Sequence, residues 1–561
     1  MLIDLKGNQM STDQKIFLTP SWAQFFSTKS SSIWCIIIAV CCQTALCYIF
    51  FTLDTDKLLQ GLAAKSLVEG HGLTIAQVHV TDLSKPGYEK LNGWPPAYSL
   101  IVSPFLVLLN GNLSGACFTV AILFFIAFIV LLYRVLLFLQ FPVYLINILL
   151  LFNGCSVTNY LQQSLATDLP AMFFCIWSCY LLAIYISNEK KAEYSGLVIG
   201  LVNAMASLFR YMYIGWSIVI PGLLIWNGWY KKDKRLLLGG FYSLAATIII
   251  TGAMLIFQHS YTGYWMYTKP TTHGFFLSNL QFIDPFILTI FINFDFYFVQ
   301  LSSFLGVQYA KLQKIIRIAG LLPLAILLYT FIRYSIKTRL IAKSAKSSLL
   351  LAGGLTSLSI LFILCYLSIR NSAYYDALPP FEWVYVAEGR YFISAQIMIA
   401  IFLTWWLFIR PVIRNRTMIL LLRFVFLFLI CTEIMHGGYL ITKHLVIKNN
   451  PLPAPAFEKV KSIVAAIDKE AKQKNIQLVF TGNKEDYCEQ ISIKGINVLY
   501  KVNEINGPSI QSAAPTMMLV CLNNSVLSHF NAFFLRQKTY KIYQDKEFCL
   551  FTCYIESHIN E

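Results

Sequence analysis

Long unbroken runs of apolar residues constrain this chain more than any other feature. They occur at about 33–53, 114–133, 143–160, 168–187, 236–258, 315–333, 348–369, 391–409 and 418–440. Each is of the length needed to cross a hydrocarbon core of about 30 Å as a helix. In lipid every backbone N–H and C=O must be satisfied within its own segment, so runs of this kind fold as helices. The run from Gly196 to Tyr230 is roughly twice one span's length and is interrupted near Phe209-Arg210-Tyr211. It predicts two short spans whose turn carries Arg210, about 11 spans in all. Charged residues make up only 13% of the 561, about half the share usual in soluble domains. With a mean hydropathy of +0.61, the expected fold class is a polytopic α-helical membrane protein with a small C-terminal α/β soluble domain.

Lys and Arg outnumber Asp and Glu by 44 to 28, a net charge of +16. In a membrane protein such an excess reads as cytoplasmic loop charge. No basic run is interleaved with aromatics on a soluble domain, so nucleic acid is excluded as a partner. The clusters Lys190–Lys191, Lys231/Lys232/Lys234/Arg235, Arg333/Lys337/Arg339/Lys343/Lys346 and Arg410/Arg414/Arg416/Arg423 fall on one side of the spans, together with Lys6, Lys15 and Lys29. That side is read as cytoplasmic. Residues 1–32 form a polar cytoplasmic segment, and the first span has no cleavage site of the signal-peptide kind. The transmembrane domain runs from 33 to 448. Its first loop (54–94), the 161–168 turn, Arg210, the 259–313 segment, the 370–390 loop and a domain at 449–561 then face outward.

Charge parity also decides the status of residues 95–110. As a helix these reach only about 24 Å. Had they crossed, Arg134 and Lys190–Lys191 would move outside. They are read as an interfacial or re-entrant helix; the alternative makes them a full span and 196–230 one long tilted helix. Before them, residues 56–69 read as a helix on the membrane surface. Leu58, Leu59, Leu62, Ala63 and Leu67 form one face, and Lys57, Gln60, Lys65 and Glu69 much of the other. Gly70-His71-Gly72 closes it with the glycine a left-handed C-cap requires. The aromatic-rich stretch 273–300 reads as a second interfacial segment. Beyond the proline-rich linker 451–457, strands are expected at 477–480, 495–500, 516–522, 540–545 and 547–555, with helices at 456–474 and 525–535. Ten of the 14 cysteines lie in apolar runs, where the thiol acts as a small hydrophobe. Cys488, Cys521, Cys549 and Cys553 lie in the outward domain, where an oxidising compartment would permit disulfides.

Few residues are placed to do chemistry. Asp54 and Asp56 stand where the first span ends. One of them can simply cap the following helix. The functional alternative is a carboxylate at the lipid boundary acting as a base. Asp168, in the segment SLATDLP, starts a span from outside and again has an N-cap explanation. Arg210 lies at membrane depth, where a guanidinium needs an anion or access to headgroups; phosphate suits its planar fork. Tyr211 follows it. Glu388, Arg390 and Tyr391 open a late span, as a structural salt bridge or as substrate contacts. His71, His79, His259 and His273 face outward without ligand spacing, so a divalent metal is left open.

Together these pieces resemble the polytopic GT-C glycosyltransferases, near the bacterial protein mannosyltransferase and aminoarabinose transferase group. The matching motifs come in order: DTDKLLQGLAAKSLVEGHG after the first span, WPPAYSLIVSP, ATDLP, GLVIGLVNAMASLFRY and AEGRYF. A soluble tail follows, whose QLVFTGNKEDYCEQISIKGINVLY looks like the usual first strand–helix–strand. The resemblance implies a catalytic Asp at Asp56 with Asp54 as neighbour, and a second acidic position at Asp168. It implies substrate or phosphate contacts from Arg210, Tyr211, Glu388, Arg390 and Tyr391. The position before Pro95-Pro96, often Lys in relatives, is Trp94 here, which leaves Lys85 or Lys90 for that phosphate contact.

The implied activity is transfer of a hexosyl or pentosyl unit from a polyprenyl-phosphate donor to an acceptor hydroxyl. The acceptor would be a lipid, glycan or protein at the outer face of the inner membrane. The rival is a transporter or flippase for a lipid-linked or polyanionic precursor. Such folds carry inverted repeats and midplane sites, and neither is evident in the sequence.

Overall fold

The structure, a computed structural model, describes residues 29–50, 55–79, 82–155, 167–188, 192–266, 329, 332–333, 344–370, 393–409, 416–445, 455–482, 497–499, 511–524, 539–544 and 548–556. Helix α1 (Lys29–Phe50) leads into α2 (Thr55–Val68). An antiparallel hairpin of β1 (Thr74–His79) and β2 (Asp82–Lys90) follows. The bundle continues with α3 (Ala97–Leu108), α4 (Leu113–Phe138), α5 (Val143–Cys155), α6 (Asp168–Ser187) and α7 (Ser195–Phe209). Next come α8 (Tyr213–Trp216), α9 (Val219–Lys231), α10 (Lys234–Thr262) and α11 (Ala345–Arg370). Helix α12 (Ile393–Thr404) widens into a π-helical turn at Trp405–Ile409, and α13 (Arg416–Leu445) closes the bundle.

Among the described residues six helices are long and apolar enough to cross a membrane: α1, α4, α6, α10, α11 and α13. The protein is a multi-pass membrane protein. The expected span at 315–333, the aromatic stretch at 273–300 and the helix at 525–535 fall outside the described residues. The paired short helices expected at 196–230 are α7 and α9, with Arg210 at the break. Helix α3 has 12 residues, about 18 Å of rise, too short to span.

Helix contacts within the bundle rest on close backbone approach. Gly196 and Gly200 of α7 face Gly239 and Ser243 of α10 so closely that a Cβ on either glycine would meet the carbonyl oxygen opposite. Higher along the same interface Asn203 donates to Thr247 Oγ1 (3.3 Å), and the hydroxyls of Ser207 and Thr251 meet at 3.1 Å. Lipid tails are as apolar as leucine, so small residues and interhelical hydrogen bonds take over the work of association. The same device joins α5 to α1 through Gly154 against Ala39 and a buried Asn147–Ser31 hydrogen bond (2.7 Å), and α13 to α5 through Gly437 against Cys155.

Helix α2 ends in a Schellman motif. Gly70 takes φ +88°, its N–H donates to the Leu67 carbonyl, and the His71 N–H donates to the Ser66 carbonyl. One expectation is corrected here. Gln60, placed by the sequence on the polar face, is fully buried. The reason is α3, which lies across α2: Ser99 Oγ donates to the Gln60 carbonyl (2.7 Å) and Ser103 Oγ to that of Ala64 (3.4 Å). The opposite side of α2 packs on the hairpin through a small core of Ala63, Ile75 and Leu91, with Leu59, Leu62 and Trp94 around it.

The C-terminal part is a five-stranded mixed sheet of β3 (Gln477–Gly482), β4 (Asn497–Leu499), β5 (Thr516–Asn523), β6 (Thr539–Gln544) and β7 (Phe548–Ile555), in the order β4-β3-β5-β7-β6. Strand β3 is parallel to both its neighbours, and β5, β7 and β6 pair antiparallel. Helix α14 (Pro455–Gln473) packs Val460, Val464 and Ala471 onto Leu478, Phe480 and Leu519. Cys521, Cys549 and Cys553 are buried free thiols. The register explains why. Cys521 faces Leu550 across the β5–β7 pair, while Cys549 faces Leu522 and Cys553 faces Met518. Cys521 is thereby on the other side of the sheet from both.

The glycine contacts yield a paired test. Gly200→Ala should lower the thermal midpoint of the detergent-solubilised protein, because its Cβ has no room at α10. Gly222→Ala, where nothing lies within 4 Å of the added methyl, should be neutral or stabilise by about 0.5–1 kcal/mol through helix propensity.

Candidate functional site

The strongest local feature is a buried ion pair. Asp168 is the first residue of α6, and Arg210 is the C-cap of α7 in extended conformation at φ −147°. Arg210 Nη2 donates to Asp168 Oδ2 at 2.6 Å. Both side chains are withdrawn from solvent, with side-chain exposures of 9% and 3%. The N-cap explanation of Asp168 does not hold. Thr167 occupies the cap position without a capping side-chain bond, and the Asp168 carboxylate goes to the guanidinium instead.

Why this pair forms is a matter of helix geometry. Helices α6 and α7 pack side by side along their length. The start of α6 and the end of α7 therefore meet at one level. Phe174 on α6 stacks on Phe209 on α7 with ring centroids 5.7 Å apart, which sets the distance for the next residue, Arg210. The residues next to the pair in sequence carry two hydroxyls. Thr167 Oγ1 and Tyr211 Oη are both buried and make no hydrogen bond among the described residues. Buried polar atoms of this kind are rare in native proteins and are expected to meet water or a ligand.

The other sequence candidates are placed differently. Asp56 lies in the first turn of α2. Asp54, Glu388, Arg390 and Tyr391 lie outside the described residues. Lys85 is on β2, 79% exposed, with its Nζ 3.2 Å from Asp82 Oδ2. Lys90 lies over the ring of Tyr261 on α10, 5.2 Å from its centroid. Of the outward histidines, His71 stacks on Tyr88 and meets its hydroxyl at 3.1 Å, and His259 stacks on Trp265. Among the described residues no three His, Cys, Asp or Glu side chains come together in a way that could hold a metal ion.

Sequence reasoning missed several polar groups. Thr167 was passed over beside its acidic neighbour. Glu433 on α13 is fully buried; its signal was a lone carboxylate inside the apolar run FLFLICTEIM. Asp82, in a loop with other carboxylates, carried no signal, because its role depends on a segment over 400 positions away, as its contact with Ala513 shows.

No family model and no curated protein matches the sequence. Solved structures do resemble it in their overall course. ArnT from Cupriavidus metallidurans bound to undecaprenyl phosphate is 13% identical with a TM-score of 0.48, over 95% of this chain and 98% of that one. The oligosaccharyltransferase of Archaeoglobus fulgidus, in complex with Zn and sulfate, is 11% identical with a TM-score of 0.45, over 90% of this chain and 69% of that one. Identity at this level transfers no residue's role.

The ion pair can be tested without any assay of function. Arg210→Ala leaves a carboxylate buried without its cation and should cost about 3–5 kcal/mol of stability. Adding Asp168→Asn to that variant should restore part of the loss, read as unfolding midpoints of the purified proteins.

Proposed function

We propose that this protein is a membrane glycosyltransferase that takes a sugar from a polyprenyl-phosphate carrier and passes it to an acceptor hydroxyl at the outer membrane face. The observation that supports this reading most is the Asp168–Arg210 contact. Two residues 42 positions apart, each picked out by a different motif of the GT-C resemblance, meet in one buried place. A random pair of polar residues at span ends would have no reason to do so.

In this reading the acceptor hydroxyl attacks the anomeric carbon while the bond from that carbon to the phosphate oxygen breaks. The transition state has oxocarbenium character, as in glycosyl transfer generally. Asp56, at the start of α2, takes the acceptor's proton. The carrier leaves as a polyprenyl phosphate, whose negative charge grows as the bond lengthens. A prealigned cation is worth most at that moment. Arg210 supplies it, its fork held in one orientation by Asp168. Tyr211 and Thr167, adjacent to the pair in sequence, carry buried hydroxyls suited to the hydroxyls of a sugar. Arg390, Tyr391 and Glu388 complete the set from the late outward loop.

Helices α2 and α3 form the floor. Both are short and apolar, they lie against each other, and α3 leaves Leu100, Val107 and Leu108 exposed. Such a surface suits an isoprenoid chain entering from the bilayer, where no polar group would have to be desolvated. The N-terminus is then cytoplasmic and the five-stranded domain lies outside.

The decisive assay is sugar transfer from a synthetic polyprenyl-phosphate sugar by the purified protein. Asp56→Asn should reduce turnover by about 10²–10⁴-fold, the range of general-base contributions, with donor binding retained. Full transfer by correctly folded Asp56→Asn protein would remove the base assignment.

A further inference from the structure

The first loop and the C-terminal domain are joined at one point. Asp82, the first residue of β2, accepts three hydrogen bonds on Oδ1: from its neighbour Ser84 through N–H (3.1 Å) and hydroxyl (2.6 Å), and from the Ala513 N–H (3.0 Å). Lys85 pairs with the other oxygen at 3.2 Å. Beside this contact the Leu83 N–H donates to the Gln511 carbonyl at 3.0 Å, and Leu83 itself is fully buried. Strand β1 runs close to β4, an edge strand of the five-stranded sheet. Residues 511–513 in turn lead directly into β5 at the centre of that sheet, and Ser512 is buried with its hydroxyl bonded to Thr516 Oγ1 at 2.7 Å.

From the hairpin the contact continues inward. Ile75 on β1 and Leu91 after β2 bury Ala63 of α2. On its other side α2 is pinned to α3 by Ser99 and Ser103. Gln258 of α10 donates to the Leu91 carbonyl at 3.3 Å. The base of the hairpin is thereby fixed to the membrane bundle, and its tip to the C-terminal domain.

We infer that Asp82 is a positioning residue: it docks the C-terminal domain on the first loop, and through the hairpin that domain holds α2 in place. The docking stands on geometry alone. Its consequence for transfer rests on the proposed role of Asp56 in the first turn of α2. The domain is therefore a structural part of the site and not a tethered appendage on a proline-rich linker.

Proton linkage fits a permanent dock. The Ser84 hydroxyl, then the Ala513 N–H, hold the Asp82 carboxyl well below the usual carboxylate range. A depressed folded value stabilises above the unfolded value of about 3.9 and fades only as pH falls through the folded one. The contact should persist unchanged between pH 8 and 5.

The test is amide hydrogen exchange on the full-length protein in lipid nanodiscs. Asp82→Ala should speed exchange in the hairpin and α2 by about tenfold, the order expected for losing a hydrogen bond to a charged group, with α7 and α10 unchanged. Asp82→Asn keeps an acceptor for the Ala513 N–H and should recover most of the protection. In transfer assays Asp82→Ala should lower kcat with KM nearly constant, since a misplaced base slows chemistry more than binding, and Asp82→Asn should rescue it. Faster exchange in the hairpin with α2 unchanged would overturn the inference, and so would acceleration spread equally over α7 and α10. Should Asp56→Asn retain transfer, the base assignment falls while the exchange result stands.

Discussion

Two helices immersed in lipid gain nothing from hiding apolar surface from each other, and the architecture of this protein follows from that constraint. Association has to come from dispersion at short range and from hydrogen bonds between backbones brought close. Gly196 and Gly200 permit that approach between α7 and α10, and Asn203, Ser207, Thr247 and Thr251 add hydrogen bonds along the same seam. Helix α7 has only 15 residues, about 22 Å of rise, and does not reach across a bilayer by itself. Held against the longer α10, it ends beside the start of α6, and its C-cap residue is Arg210. The packing thus delivers a guanidinium to a buried place where an unpaired charge would be costly.

The ion pair resolves that cost in a specific way. A buried pair is seldom a large net contributor to stability, because desolvation offsets the attraction, but removal of one partner is strongly destabilising. Asp168 and Arg210 are therefore mutually dependent. The aromatic stack of Phe174 on Phe209 sets their spacing, and the pair together is neutral. A site built this way can present a fixed cationic fork without attracting every anion in the vicinity. The adjacent residues Thr167 and Tyr211 add buried hydroxyls that carry no charge. For a substrate that joins a neutral sugar to a phosphate, such a combination of oriented charge and neutral donors is chemically apt.

Helix α2 is the other hinge of the structure. Three elements converge on it: α3 through two serine hydroxyls, the hairpin through the Ala63–Ile75–Leu91 core, and the C-terminal domain at one remove through Asp82. A helix of 14 residues has little by itself to fix its angle and position. Clamping from several sides converts it into a rigid mount for whatever its first turn carries.

Much of this was legible in the residues. Hydropathy located the six described helices that are long enough to cross, because an apolar run in lipid satisfies its backbone by folding as a helix; the expected spans at 143–160 and 391–409 are shorter helices among the described residues. Length and charge parity argued that residues 95–110 do not cross, and α3 has 12 residues, fewer than a helix needs to span. Glycine signals placed the end of α2, since a left-handed C-cap excludes most side chains. What the sequence could not supply was pairing at a distance. It offered Asp168 and Arg210 as separate candidates with separate partners in mind, and only the packing of α6 on α7 brought them together. It put Gln60 on a polar face, and only the arrival of α3 buried it. The resemblance left Lys85 or Lys90 for a phosphate contact, and the contact of Lys85 with Asp82 was not legible in the residues. Local periodicity and charge determine which segments are helices and where they stop. Which side chains then share a site depends on contacts between segments far apart in the chain, and those are decided by tertiary packing alone.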